Sequence, residues 1–424
     1  MKKFIVSNNI LDYLMYIFYA IIPIYFMQFS IGPIFNPKVL LGFEIIILMI
    51  WIYKVLFKIK SINMPNLKCN IYLYGMVLFG LIASIFAFYP LNSAITICII
   101  GIGIVYYIML FDSMYYDYEY SKLSIYLNIN NITCMILLLV QVIFYIVGTL
   151  KIGKVELSGF YYDYTGGMIT SLFANPNTFA MYLSIGLYSN MLLINIKRGK
   201  KHVNIINILI LMVAIILSGS RTALISTVLV IGLYLIFINN ILKKVIYILE
   251  KNKKLVICLS VGVIILMVVL LTKIDISNIP LMEKFSGGSR GRVEKWIGVL
   301  DLIKDNNIIF GVGNIDNIMD PYYIGLSQTH NAYVNLALRG GIGLLTIFSI
   351  YIVKTFIYVH ISIKKLDISK SKLLKTMIII IVGLLITQMF EMGIIFTNVT
   401  YFGSIFFMLI MAYIYIIIDK PNEI

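Results

Sequence analysis

The stretch VNIINILILMVAIILSGSRTALISTVLVIGLYLIFI, residues 203–238, decides the class of fold. Two apolar runs, 203–217 and 222–238, are joined by the turn Ser218-Gly219-Ser220-Arg221. A helix rises about 1.5 Å per residue and the hydrocarbon core of a bilayer is about 30 Å thick, so about 17–25 apolar residues cross it. Both runs are barely long enough, which sets the turn at or slightly below an interface. A guanidinium at that depth is costly unless it is paired or faces a polar cavity, and it is functional by default. The bland alternative is an anchor that snorkels to the headgroups.

The same pattern fills the chain. Further apolar runs lie near 10–28, 39–56, 71–88, 93–111, 132–150, 178–196, 255–272, 333–353, 376–391 and 400–418. With 61% hydrophobic and 12% charged residues, the composition is far from that of a soluble domain. The expectation is an all-α, polytopic integral membrane protein with about twelve transmembrane helices. No internal repeat or low-complexity linker divides residues 1–424, so they read as a single membrane domain. Lys2 and Lys3 precede the first run with no small-residue cleavage site after it, which reads as a retained span rather than a removed signal.

The formal net charge of +15 invites a nucleic-acid partner, but its distribution argues against one. With the N-terminus cytoplasmic, most lysines fall in cytoplasmic segments, among them 197–201, 243–254 and 354–375. Such an excess sets topology and needs no polyanion. Both termini are then cytoplasmic, and two long segments, 151–177 and 273–332, are external. Cys69, Cys98, Cys134 and Cys258 lie in or beside apolar runs at no metal-ligand spacing. They support neither a disulfide framework nor a metal site, and no cofactor motif appears.

The 273–332 loop is too long for a passive connector. Ser286-Gly287-Gly288-Ser289 breaks the chain, and from Gly291 to Lys304 a helical pattern follows, with Val293, Trp296, Leu300 and Ile303 on one face. This predicts a short amphipathic helix on the outer surface, ended by Gly311-Val312-Gly313. Arg290 and Arg292 stand at its start and His330-Asn331 closes the loop. Of the three histidines, His202 and His360 fall in lysine-rich cytoplasmic segments, and only His330 faces outward. A neutral imidazole suits a general base for a sugar hydroxyl, with Asn331 beside it to orient the ring. A polar cap at the interface is the plainer alternative. Arginine forks suit a diphosphate, although solvated loop charges explain Arg290 and Arg292 equally well. Trp296 can stack on a sugar or sit in an interfacial belt. The external carboxylates single out no pair for a hydrolase mechanism.

Taken together, these residues resemble the O-antigen ligase and O-antigen polymerase superfamily. The carrying segments are Phe173-Ala174-Asn175-Pro176-Asn177, Ser218-Gly219-Ser220-Arg221-Thr222 and Arg292 with Trp296, then Gly311-Val312-Gly313 and His330-Asn331 followed by Arg339-Gly340-Gly341-Ile342-Gly343. The resemblance implies a metal-independent, inverting glycosyltransferase acting on a polyprenyl-diphosphate-linked oligosaccharide at the outer face of a bacterial cytoplasmic membrane. Arg221 and the pair Arg290 and Arg292 would then bind the diphosphate, and His330 would be the base. Asn331, Trp296, Asn175 and Asn177 would contact substrate. Membrane lipid and other polysaccharide assembly proteins are the implied partners. A polymerase of repeat units is the reading taken, with a ligase of finished glycans next to it. A transporter, either a flippase for the lipid-linked precursor or an anion carrier, is the rival from another class. It would place its charges at mid-span on broken helices, whereas these charges cluster on one face.

Overall fold

The computed structural model describes residues 2–27, 37–56, 63–65, 67–117, 120–152, 155–163, 166–238, 291–315, 329–391 and 401–420. The expected span 255–272, the lysine-rich stretch 239–254 and the loop segment with Arg290 lie outside them. The helices are α1 (Lys2–Ile21), α2 (Pro37–Leu56), α3 (Leu67–Ile85), α4 (Pro90–Met114), α5 (Ser121–Val147) and α6 (Pro176–Asn195). They continue with α7 (Lys201–Leu217), α8 (Arg221–Phe237), α9 (Arg292–Asn306), α10 (Ala332–Ile363), α11 (Ile368–Thr387) and α12 (Phe402–Asp419). Every expected apolar run except 255–272 falls on one of these helices. Five described helices, α2, α4, α5, α10 and α12, are long and apolar enough by length and composition to cross a membrane, and α1, α3, α7 and α8 carry shorter apolar stretches. The chain is a multi-pass membrane protein, predominantly helical.

Two features depart from the sequence reading. The 151–177 segment is not featureless: β1 (Thr149–Ile152) pairs antiparallel with β2 (Val155–Ser158), and β3 (Phe160–Asp163) with β4 (Gly166–Ile169). Helix α5 starts at Ser121, well before the expected 132, because polar residues in its first turns are satisfied inside the bundle. Asn130 Nδ2 donates to Tyr19 Oη at 2.8 Å and to Ser189 Oγ at 3.1 Å. Hydrogen bonds of this kind between spans contribute about 1 kcal/mol each.

The core is built around α12. Its residues from Phe402 to Ile418 are all buried, as expected of a helix that is apolar on every side. The outward faces of α2 and α5, with Ile46, Met49, Leu139 and Ile146 exposed, are equally apolar. That is the surface of a bundle solvated by lipid rather than water.

Side-chain pairs fix which helix ends lie together. Ser184 Oγ and Thr227 Oγ1 are 3.0 Å apart, and the Tyr234 hydroxyl donates to Asn195 Oδ1 at 3.4 Å, so α6 and α8 run parallel. Asn195 Nδ2 donates to Thr376 Oγ1 at 3.2 Å, while Gly383 abuts the Tyr188 hydroxyl and Val230, so α11 runs antiparallel to both. The Ala332 amide donates to the Gln388 carbonyl at 2.9 Å, which ties the start of α10 to the end of α11. One end of the bundle therefore gathers the starts of α6, α8 and α10 with the end of α11. The opposite end carries Lys197, Lys200, Lys201, Lys364, Lys365 and Lys372.

The chain after α9 is clasped by α10. This helix is broken at Gly340 and Gly341, where Gly341 has φ 66° and ψ −171°. Into that break fits the segment 307–313. Amides of Val312 and Gly313 donate to the Leu338 carbonyl at 2.9 and 3.1 Å, and those of Ile342 and Gly343 donate to the Ile308 and Ile309 carbonyls at 2.9 and 3.2 Å. Phe310 stacks between Phe79 and Phe86, with centroids 5.4 and 4.6 Å away. Gly341 has a backbone shape nearly closed to other residues, and a Cβ there would collide with the Ile309 carbonyl. Gly341→Ala is expected to destabilise the protein by about 3 kcal/mol or more, read as a lowered melting temperature in detergent. Melting like the wild type would mean that 307–313 is not seated in the break.

Candidate active site

Helix α9 is the amphipathic helix expected in the long loop, but its buried face differs from the expected one. Val299 and Ile303 are the buried residues, packed against Val312, Ile315, Ala337 and Leu338, while Val293 and Leu300 are exposed. The reason is geometric. Positions 292, 296, 299 and 303 follow one stripe of a 3.6-residue helix, and that stripe meets α10, which leaves 293, 297 and 300 turned away. Each buried aliphatic side chain there contributes about 1.5–3 kcal/mol, so α9 is anchored and not merely laid on the surface.

The same stripe carries polar groups to its neighbours. Gly291 takes a left-handed conformation with φ 74°, and Arg292 opens the helix. Arg292 Nη1 donates to the Phe390 carbonyl at 2.9 Å, and its Nη2 lies 3.6 Å from Glu391 Oε1. One turn on, Trp296 Nε1 donates to the Thr329 carbonyl at 2.8 Å, with its ring 6.4 Å from that of Phe390. Helix α9 thus bridges the end of α11 and the residues just before α10.

His330 occupies the left-handed region, with φ 50°. That conformation costs a non-glycine residue about 1–2 kcal/mol, and its neighbours hold it. Thr329 Oγ1 donates to the Asn331 carbonyl at 3.1 Å and accepts from the Asn331 amide at 3.3 Å. Asn331 Oδ1 accepts from the Tyr333 and Val334 amides at 3.0 and 3.1 Å, capping α10. Asn331 is therefore a helix cap, and the ring's partner is a different residue. His330 Nδ1 lies 3.6 Å from Glu391 Oε2, with the histidine side chain 44% exposed and the glutamate 17%. A carboxylate on the Nδ1 side favours the tautomer that leaves Nε2 as proton acceptor.

Glu391 was not among the residues picked out from the sequence. It ends the apolar run 376–391 and was absorbed into it, although it is the one charged residue of that run. The helix stops at Thr387, and turn hydrogen bonds carry 389–391 out of it, with the Glu391 amide donating to the Thr387 carbonyl at 3.0 Å. A carboxylate at the tip of an otherwise uncharged run was the available signal.

The other candidates fall at the same end of the bundle. Arg221 is the first residue of α8, half-buried, behind the tight turn in which Gly219 has φ 65°. Asn175 caps α6, its Oδ1 accepting from the Asn177 amide at 2.8 Å. Arg292, Trp296, His330 and Glu391 form one cluster. Arg221, Asn175 and Asn177 share its level, and Arg290 lies outside the described residues.

Residues 206–349 match the O-antigen ligase family model. The O-antigen ligase match spans α7, α8, α9 and the first half of α10, and so takes in Arg221, Arg292, Trp296 and His330. It bears out the resemblance carried by the sequence motifs, and it supports an activity of the O-antigen ligase and polymerase type at the level of class. Glu391, Asn175 and Asn177 lie outside the stretch similar to O-antigen ligases. No curated protein matches the chain significantly.

Proposed function

We propose that this chain is a metal-independent, inverting membrane glycosyltransferase. It joins polyprenyl-diphosphate-linked oligosaccharide repeat units into a surface polysaccharide of capsule or exopolysaccharide type. The observation that supports this most is the trio in which Glu391 stands between His330 and Arg292, within ion-pair reach of both. An imidazole backed by a carboxylate and a guanidinium held beside it are the parts that hydroxyl activation and leaving-group stabilisation require.

His330 Nε2 takes the proton of an acceptor hydroxyl as its oxygen attacks the anomeric carbon from the face opposite the diphosphate. The bond from that carbon to the diphosphate oxygen breaks, and its electron pair leaves with the diphosphate. Arg292 and Arg221 stabilise the charge that develops there, the role a divalent cation plays elsewhere. Glu391 positions the imidazole and stabilises it once protonated. Its second oxygen parks Arg292 until the donor arrives. The lysine-rich end of the bundle is the cytoplasmic one, which makes the His330 end extracytoplasmic and keeps both termini inside. The donor's lipid tail lies among the spans, in the cytoplasmic membrane of a bacterium.

Lipid-linked glycans extracted from cells that lack this chain test the reading. Accumulated single repeat units on lipid are the expected result and identify a polymerase. Long lipid-linked chains without their final acceptor would identify a ligase that moves finished glycans. Lipid-linked pools and surface glycan identical to those of the parent cells would overturn both.

A further inference from the structure

The lysine-bearing end of the bundle has a groove that glycosyl transfer at the opposite end does not use. It lies between the end of α6, the start of α7, the end of α8 and the start of α11, and encloses about 300 Å3. Its floor is apolar, with Ile194, Ile205 and Ile231, and one phenol, Tyr234, whose hydroxyl is tied to Asn195. Two cations line it, Lys201 from α7 and Lys372 from α11. Neither forms an ion pair with a described residue, and among the described lining residues two like charges face one groove with no carboxylate. Lys201 is also the first residue of α7 and follows Lys200 at the cap, with no acid in the first turn. Helix starts favour negative charge, so the backbone there has the same preference as the lysines.

A larger apolar groove, about 650 Å3 between α2, α3 and α4, provides the contrast. Among the described residues that line it none is charged, so it offers a headgroup no partner. The α7–α11 groove differs in joining an apolar floor to a doubly cationic rim, and that combination matches one kind of ligand.

We propose that this groove is a binding site for an anionic phospholipid. An acyl chain lies along Ile205 and Ile231, and the phosphate sits between Lys201 and Lys372. Phosphate between the two lysines removes their mutual repulsion and complements the start of α7. A basic pocket between spans is a recurring way to hold acidic headgroups. The lipid links α7 and α8 to α11, the helix whose far end carries Glu391, so it braces the bundle from the lysine side.

The test uses the purified full chain in non-ionic detergent, mixed with equal amounts of dioleoylphosphatidylglycerol and dioleoylphosphatidylcholine, with bound lipid counted by native mass spectrometry. The wild type is expected to retain the glycerol lipid over the choline lipid. The double variant Lys201→Gln, Lys372→Gln should lose most of that preference. Near-surface lysines contribute about five-fold each, so roughly twenty-five-fold is at stake. Ile231→Trp fills the floor without changing charge and should release the lipid as well. The control Lys354→Gln, Lys364→Gln removes equal charge from α10 and the residue that follows it, neither of them lining the groove, and should retain the preference. An unchanged preference in the groove lysine variant would overturn the proposal. So would an equal loss in the control, which would reduce the effect to the general field of the basic end. None of these readouts depends on glycosyl transfer.

Discussion

Replacing His330 by alanine should lower turnover of purified lipid-linked donor by about 10²–10⁴-fold, the range removed with a general base. Membrane abundance should stay normal, because the side chain is 44% exposed and its one described ion-pair partner is Glu391. In cells, donor should accumulate as polymer disappears. Added imidazole should restore part of the rate, since the place vacated by the ring lies beside an intact carboxylate. Glu391→Gln should cost less than His330→Ala, and Glu391→Asp less again, if the carboxylate only positions the base. Full activity of the alanine variant would remove His330 from the mechanism and leave it a polar residue at the mouth of α10.

Arg292→Ala should lower the rate by about 10²–10³-fold, as loss of one donor to a developing anion does. Two consequences separate this from simple loosening of the loop. Helix α9 stays docked through Val299 and Ile303, so the melting temperature should fall little. The remaining activity should also become sensitive to added magnesium, which can replace the missing positive charge at the diphosphate. Wild-type activity in chelator is the companion expectation. A wild-type enzyme that stops in chelator and recovers with magnesium or manganese would refute charge stabilisation by arginine alone. An Arg292→Ala variant of normal activity would shift the leaving-group role to Arg221 or Arg290.

Much of the bundle was legible because hydrophobic runs of span length admit few structures in lipid. The end of α7 and the start of α8 around Ser218-Gly219-Ser220-Arg221 fall where the interrupted run placed them. The pairing of helices was not legible, since apolar faces do not name their partners. What joins α6, α8 and α11 is a few hydroxyl and amide contacts, such as Ser184 with Thr227 and Asn195 with Thr376. The candidate site divides along the same line. His330, Arg292 and Trp296 could be read from a basic loop and the one histidine outside the lysine-rich segments. Glu391 could be noticed only as a lone charge at the tip of its run, because its contacts with His330 and Arg292 depend on α11 ending beside α10, which no local pattern encodes. Asn331 shows the converse. Its place beside His330 suggested that it orients the ring, yet Oδ1 is taken by the first amides of α10. Periodicity located α9 but misplaced its buried face, because the interlocked 307–313 segment widens the surface that α9 meets.

That interlock also limits how this chain can be recombined with relatives. Residues 307–313 and 338–343 share backbone hydrogen bonds in both directions, so neither half keeps its shape when inherited without the other. A crossover between 313 and 338 would pair a clasp from one parent with a socket from another, just behind His330. Productive chimeras should therefore exchange everything from Gly291 to Gly343 as one block, and such a block carries Arg292, Trp296 and His330 but leaves Glu391 behind. The donor block must then find an acid already waiting at the end of the recipient's α11.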